Sequence, residues 1–344
     1  MEGVNYTPVE KDVARFEKQK RRRLGVHALV FAAGLGFLAE DTYEIARQDQ
    51  SLTIEALEDR AVSEMYPHTA WYLIPGYNMA WRDSREAAEA LKPELEKTGQ
   101  VHWVGLSNKG FEIDDLKKEA LEYAIDNDLT TINLYGYSFG GMVSVELAQH
   151  LIENGISVNE IVLDSSPANL GDVKTGQNIV RVVSLVGMTS TQRAAVGIMT
   201  TQNTDLGSFS DAEKYASAEL LNDTASYIAR FSPHVEASGL PAEVDITYIG
   251  SSNDERINTE SAANKWRGTL SENDFEFYDS WPAGHASPRG DTEKYLELMA
   301  QVNEGVIIEM CYRNSPDESV AIEQYCPSPI FVDPRLDPVK SRAI

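Results

Sequence analysis

The chain alternates short apolar runs with helical patterns from about residue 70 onward, and this alternation constrains its fold more than any other feature. The apolar runs are AWYLIPG (70–76), VHWVGL (101–106), TINLYG (131–136) and EIVLDSSP (160–167), with helical patterns between them at 84–99, 113–126 and 140–155. Strands that alternate with helices of this length form βαβ units, which build a mainly parallel sheet covered on both faces. The pattern therefore predicts an α/β domain over residues 66–303, preceded by a polar linker at 40–65 with one or two weak edge strands.

A long segment, residues 168–238, interrupts the alternation. It contains several stretches of helical period, and strand patterns return only at 244–250 and 275–281, before a closing helix from Asp291 to about Asn303. A mainly helical insertion between two sheet strands predicts a lid. Residues 304–344 contain two Pro-containing clusters and little periodicity, so we expect a C-terminal extension there.

Ser138 lies in the motif Gly136-Tyr137-Ser138-Phe139-Gly140, between a predicted strand and a predicted helix. The motif alone is weak, because GxSxG arises by chance in roughly one chain of this length in ten, so its context decides. Strand, turn and helix in this order present a serine hydroxyl on a tight elbow at the carboxyl end of a sheet. Glycine is expected at 136 and 140 because the neighbouring chain would pass too close for a side chain. A Gly-rich turn whose serine caps the helix is the alternative.

This segment resembles the nucleophile elbow of the α/β-hydrolase superfamily, and the resemblance extends in order from about residue 68 to 303. It implies an α/β-hydrolase-type sheet with a helical lid. It also implies a catalytic triad in the chain order Ser, Asp or Glu, His, with the acid and the histidine after later strands. The sequence has candidates at both places, since an aspartate follows the strand at 244–250 and a histidine follows the strand at 275–281.

By this resemblance Ser138 is the nucleophile, His285 the general base and Asp254 the carboxylate that orients the histidine. A serine hydroxyl is a poor nucleophile until a base takes its proton, and a neutral imidazole does so near pH 7. The carboxylate would fix the tautomer of the imidazole and stabilise its protonated form. Glu255 and Asp164 remain alternative acids.

The resemblance also implies two main-chain amides that bind the negative oxygen of a tetrahedral intermediate. One is the amide of Phe139, and the other is that of Tyr77, in the loop Pro75-Gly76-Tyr77-Asn78. The family often has His-Gly in this loop, so Pro75 is a departure. The loop Leu106-Ser-Asn-Lys-Gly-Phe111 departs as well, because many members have a pattern like Asp-x-Pro-Gly-x-Gly-x-Ser there.

These residues predict acyl transfer through an acyl-enzyme on Ser138, with a small-molecule or lipid carboxylic ester as substrate. A serine at the elbow disfavours dehalogenase and epoxide-hydrolase chemistry, for which this family uses an aspartate. The alternatives on the same scaffold are a thioesterase, an amidase or an acyltransferase. An alternative of a different class is a surface-anchored binding protein without catalytic activity.

Residues 24–39 form an apolar stretch, broken only by His27, directly after a basic segment that ends in Arg21, Arg22 and Arg23. A helix over this stretch would rise about 24 Å, slightly less than the hydrocarbon core of a bilayer. A cleaved signal peptide and an uncleaved anchor are both open. The lack of a good A-x-A site favours the anchor, with residues 1–23 cytoplasmic and the catalytic domain exported. Secretion after cleavage and a buried helix of a soluble protein are the alternatives.

The net charge of −24 argues against nucleic-acid partners, because a phosphate-binding protein needs a basic face. The two cysteines, Cys311 and Cys326, could form a disulfide in an exported domain. Closing a loop of about 15 residues would stabilise the fold by about 3 kcal/mol. Two free thiols are the alternative. The spacing of these cysteines carries no metal-ligand signature, and we expect neither a metal nor a cofactor.

Overall fold

The computed structural model describes residues 51–174 and 218–314, apart from residues 78, 80, 238, 281 and 287. Within these ranges one seven-stranded sheet has the strand order β1-β3-β2-β4-β5-β6-β7. The strands are β1 (Thr53–Ala56), β2 (Thr69–Ile74), β3 (Gln100–Gly105), β4 (Thr131–Tyr137), β5 (Glu160–Asp164), β6 (Asp245–Gly250) and β7 (Phe275–Asp279). The helices are α1 (Arg60–Met65), α2 (Trp81–Leu95), α3 (Ile113–Asp126), α4 (Phe139–Glu153), α5 (Ala218–Arg230), α6 (Pro233–Glu236), α7 (Thr259–Thr269) and α8 (Thr292–Asn314).

The sheet is parallel from β2 to β7, and β1 adds an antiparallel edge strand beside β3. Each parallel pair requires a crossover connection, and helices supply it where the sequence predicts them. The mainly parallel α/β sheet predicted from the sequence is therefore confirmed. The weak strand expected in the 40–65 segment is β1.

Helices cover both faces of the sheet. Residues of α2 and α8 pack against one face, and residues of α3, α4, α5 and α7 pack against the other. Strands buried on both faces have continuous apolar runs rather than alternating ones. This explains strands such as β2, in which every residue after Thr69 is buried.

Strands β2 to β7 lie within three residues of their predicted bounds, with the largest difference at the end of β5. Other predictions lie partly or wholly outside the described residues. Of the predicted lid, the structure describes 168–174, including a short 3₁₀ turn at Leu170–Asp172, and the helices α5 and α6. The closing helix continues to Asn314, past its predicted end near Asn303. The predicted anchor, the tail after 314 and the proposed disulfide lie outside the described side chains. Among the described helices, none is long and apolar enough to cross a membrane.

Candidate active site

Ser138 lies on a sharp turn between β4 and α4, as the sequence predicts. Its backbone has φ 51° and ψ −112°, a left-handed conformation that is uncommon for a residue with a Cβ atom. Such strain persists only where the surrounding structure enforces it, and it occurs preferentially at functional sites. Here the amide of Ser138 donates to the main-chain oxygen of Asp164 at 2.7 Å. The elbow is thereby fixed to the carboxyl end of the neighbouring strand β5.

The glycines on either side of Ser138 are required by close approach of the backbone. A Cβ atom on Gly136 would lie 2.4 Å from the Cα atom of Gly141, and one on Gly140 would lie 2.2 Å from the carbonyl oxygen of Ile74. Both distances are far below van der Waals contact with main-chain atoms. The expectation that the neighbouring chain leaves no room for side chains at these two positions is confirmed.

His285 and Asp254 form a hydrogen bond, with Nδ1 of the imidazole 2.8 Å from Oδ2 of the carboxylate. Asp254 is only 2% exposed, and its other oxygen accepts the amides of Arg256 and Ile257, both at 2.8 Å. Burial opposes ionisation of this carboxyl. The hydrogen bond and charge of His285, followed by the two amides, outweigh burial and lower the pKa of Asp254. The turn after β6 therefore holds an ionised acceptor in front of the imidazole.

Ser138 and His285 line the same cavity, which has a volume of about 280 Å³ as bounded by the described residues. The wall also includes Gly76, Tyr77 and Met79 from the loop after β2, and residues on either side of His285. Ser138 is 9% exposed, as expected for a group reached only through a cavity. No hydrogen bond links Ser138 to His285 among the described residues. Catalytic hydrogen bonds are often long in structures without substrate and tighten when it binds.

The loop expected to supply an oxyanion-binding amide lies directly against the elbow. A Cβ atom on Gly76 would lie 3.6 Å from that of Ser138, and Tyr77 lines the cavity. The Gly76 amide donates to the sulfur of Met79 at 3.0 Å, a contact that no sequence signal indicates. The second predicted donor, Phe139, is the first residue of α4, where an amide has no intrahelical acceptor.

The two alternative acids occupy different positions from Asp254. Glu255 lines the cavity with a side chain 54% exposed, next to Arg256. Asp164 is fully buried, and its carboxyl group accepts hydrogen bonds from Tyr135 and Tyr295. The structure therefore pairs His285 with Asp254 rather than with either alternative. Within the described part of the chain, no cluster of three His, Cys, Asp or Glu side chains could hold a metal ion.

Comparison with solved structures identifies the fold. A Burkholderia cenocepacia protein, provisionally described as an aryl esterase, has a TM-score of 0.53 and 15% identity, covering 74% of this chain and 95% of its own. An enol-lactonase from Burkholderia xenovorans LB400 has a TM-score of 0.51 and 15% identity, covering 74% and 96%. A lipase-esterase related protein from Clostridium acetobutylicum ATCC 824 has a TM-score of 0.51 and 11% identity, covering 73% and 99%. No protein-family model matches the sequence, and no curated protein matches it.

These similarities, together with the strand order and the elbow, show that the chain has the α/β-hydrolase fold. The resemblance noted in the sequence is thus confirmed at the level of the fold. At identities of 11–15%, the chemistry has to be argued from the site itself.

Proposed function

We propose that this protein is a serine hydrolase that cleaves a carboxylic ester through an acyl-enzyme on Ser138. The observation that carries the proposal is the hydrogen bond between His285 and Asp254 at the wall of the cavity that Ser138 also lines. A strained elbow serine, a histidine that lines the same cavity and a buried carboxylate hydrogen-bonded to that histidine are the three parts that serine-based acyl transfer requires.

The first half of the reaction forms the acyl-enzyme. Asp254 only accepts hydrogen bonds when ionised, so the Nδ1 atom of His285 carries the proton and Nε2 remains free to act as a base. His285 takes the proton of the Ser138 hydroxyl as its oxygen attacks the ester carbonyl. The imidazolium formed in this step is stabilised by the carboxylate, and it then protonates the departing alcohol.

The second half of the reaction releases the acid. Water attacks the acyl-enzyme, with His285 again taking the proton, and the Ser138 hydroxyl is regenerated. In both halves the amides of Tyr77 and Phe139 donate to the oxygen that becomes negative. Removing one such donor typically slows a hydrolase by about a hundredfold to a thousandfold. An alcohol or an amine in place of water would make the same site an acyltransferase.

Turnover of a panel of 4-nitrophenyl esters, from acetate to a long-chain ester, tests this proposal. We expect hydrolysis by the wild-type protein and its loss in the variants Ser138→Ala and His285→Ala. Ser63→Ala, at an exposed serine in α1, is the matched control and should retain full activity. Uniform lack of turnover across esters, thioesters and anilides would instead favour a binding protein on the hydrolase scaffold.

We also propose that residues 24–39 anchor the protein in the membrane, with the hydrolase domain on the extracytoplasmic side. The support is the basic segment followed by an apolar stretch. In that location the enzyme would act on substrates outside the cytoplasm.

A further inference from the structure

Asp164 is a buried carboxyl group beneath the candidate active site for which the proposed mechanism has no role. It ends β5 and is fully buried. The phenol of Tyr135 donates to its Oδ2 atom at 3.0 Å, and the phenol of Tyr295 donates to its Oδ1 atom at 3.1 Å. Burying a carboxylate away from water is unfavourable unless such contacts compensate for the loss of hydration. A carboxyl group kept at this position therefore calls for an explanation.

Asp164 and the next residue, Ser165, contact both sides of the proposed catalytic pair. The carbonyl oxygen of Asp164 accepts the amide of Ser138 at 2.7 Å. The next residue, Ser165, has a left-handed backbone with φ 50°, and its hydroxyl accepts the amide of Ala286 at 3.3 Å. Ala286 directly follows His285. Two consecutive residues at the end of β5 thus bind the elbow on one side and the histidine loop on the other.

The side chain of Asp164 connects the same two segments a second time. Tyr135 lies in β4, three residues before Ser138, and Tyr295 lies in α8, the helix that follows the His285 loop. Both phenols are fully buried. A movement of the elbow strand relative to the closing helix would break at least one of the two phenol contacts, so the carboxyl group resists that movement.

From these contacts we propose that the Asp164 carboxylate is a positioning residue, which holds the Ser138 elbow against the His285 loop through Tyr135 and Tyr295. It does not take part in proton transfer, which belongs to His285 as oriented by Asp254. This role rests on the proposed function, because it concerns the alignment of the proposed nucleophile with its base.

Both oxygens of the ionised Asp164 carboxylate are acceptors and each accepts one phenol, whereas protonation turns one of them into an O–H donor and weakens it as an acceptor. Burial raises the pKa of this carboxyl to about 7 against the opposing effect of the hydrogen bonds from Tyr135 and Tyr295, and the charge of Asp254 raises it as well. The titratable or polar groups that face Asp164 are Tyr135 and Tyr137 from β4, Ser165 beside it, Tyr248 from β6, Asp254 from the loop after β6, and Tyr295 from α8. Both forms of Asp164 are therefore present near neutral pH, and we expect protonation to loosen the alignment.

The rate at which a fluorophosphonate labels Ser138, measured from pH 5 to pH 9, tests this role. The variants are Asp164→Asn and Tyr295→Phe. Tyr227→Phe is the control, because Tyr227 makes a partly buried phenol–carboxylate hydrogen bond to Glu146. Phenylalanine at this position keeps the ring that packs against Phe139 and removes only the hydroxyl group. Circular dichroism of each variant reports whether it is folded, and ester turnover separates changes in kcat from changes in KM.

We expect Tyr295→Phe to slow labelling by about threefold to tenfold and Asp164→Asn by about tenfold or more, with KM within about twofold of wild type. The logarithm of the wild-type rate should rise with pH with a slope between one and two below pH 7, and Asp164→Asn should reduce that slope to one. Tyr227→Phe should match wild type in both respects.

Folded Asp164→Asn and Tyr295→Phe proteins with wild-type labelling rates would overturn the positioning role while leaving the proposed function intact. An equal loss at every pH, with no change of slope, would also overturn it, because that is the result of a merely structural contact. If Asp164→Asn does not fold, the pH profile of Tyr295→Phe decides. Loss of the phenol hydrogen bond should raise the pKa of Asp164 and move the labelling profile to higher pH, and an equal loss at every pH would overturn the role. A wild-type protein that is never labelled at Ser138 would overturn the proposed function, and this role with it.

Discussion

The Nδ1 atom of His285 lies 2.8 Å from Oδ2 of Asp254, although 31 positions separate the two residues in the chain. The strands β6 and β7 pair in parallel, so the loops that follow them emerge side by side at the carboxyl edge of the sheet. The elbow after β4 opens onto the same edge. The geometry of the candidate site is thus a direct consequence of parallel strand pairing.

Replacing Asp254 with asparagine should lower kcat by about a hundredfold to ten-thousandfold, because an amide can hold the wrong tautomer of the imidazole in place. KM should change little. Glu255→Gln is the control, since Glu255 adjoins the same cavity but does not bind His285, and we expect less than about a threefold change in kcat. An equal loss of kcat in Glu255→Gln and Asp254→Asn would contradict the assignment of Asp254 as the carboxylate that orients His285.

The substitution Gly140→Ala should lower the free energy of unfolding by about 1–3 kcal/mol or more, because the added methyl group would collide with the carbonyl of Ile74. Gly268→Ala is the matched control. Gly268 lies in α7 with open space around its Cα atom, and alanine there should raise the free energy of unfolding by about 0.5–1 kcal/mol. Urea unfolding of the two variants measures both effects, and equal changes would contradict the packing argument.

The sequence predicts the strands and the elbow turn around this site well, because these elements depend on local patterns. Apolar runs and helical periodicity locate strands β2 to β7 within three residues, and the strand–turn–helix context locates Ser138. The order of the strands in the sheet then brings Asp254 and His285 together. The resemblance to the α/β-hydrolase superfamily supplied these last two positions, which no local pattern indicates.

Contacts between residues distant in the chain could not be predicted in this way. The hydrogen bond from the phenol of Tyr295 to Asp164 joins residues 131 positions apart and depends on how helix α8 folds back over the sheet. The contact between the Gly76 amide and the sulfur of Met79 is local, but it depends on a loop conformation that no sequence pattern indicates. Asp164 itself appears in the sequence only as an alternative acid. Its carboxyl group binds the phenols of Tyr135 and Tyr295 rather than His285, and only the three-dimensional structure shows this.

His102 gives the protein a pH-dependent stability that is independent of catalysis. It is buried in β3 beside Tyr72 and Tyr123, and burial lowers the pKa of its imidazole to about 4. An unfolded histidine takes up a proton near pH 6.5, so between pH 6.5 and 4 the unfolded state binds more protons than the folded state. Stability supplied by this neutral imidazole is therefore present above pH 6.5 and is lost as the pH falls towards 4.

The variant His102→Gln should abolish this component. Between pH 7.5 and pH 4.5 we expect the wild-type protein to lose about 2–3 kcal/mol more free energy of unfolding than the variant loses. Urea titrations at the two pH values provide the comparison, in which all other titrating groups are shared. Identical losses in the two proteins would contradict the lowered pKa, because they would show that His102 binds its proton equally well in the folded and unfolded states.

The proposed membrane anchor is tested by charges placed in the apolar stretch. When the full chain is expressed in cells, the protein should stay in the membrane pellet after a carbonate wash. The double variant Leu29→Lys, Leu35→Lys should instead be found in the soluble fraction, because lysine at the centre of a bilayer is strongly disfavoured. Full-length protein in the soluble fraction without these changes would contradict the anchor.

The central claim is that Ser138 is a nucleophile activated by His285. The most direct test is the mass of the folded protein after exposure to a fluorophosphonate, with the modified peptide sequenced. The account predicts one adduct per chain, located on Ser138, and at least a hundredfold slower labelling of His285→Ala, because general-base catalysis contributes about a hundredfold to ten-thousandfold. An unmodified Ser138 in the folded wild-type protein, or a His285→Ala variant labelled at the wild-type rate, would contradict it.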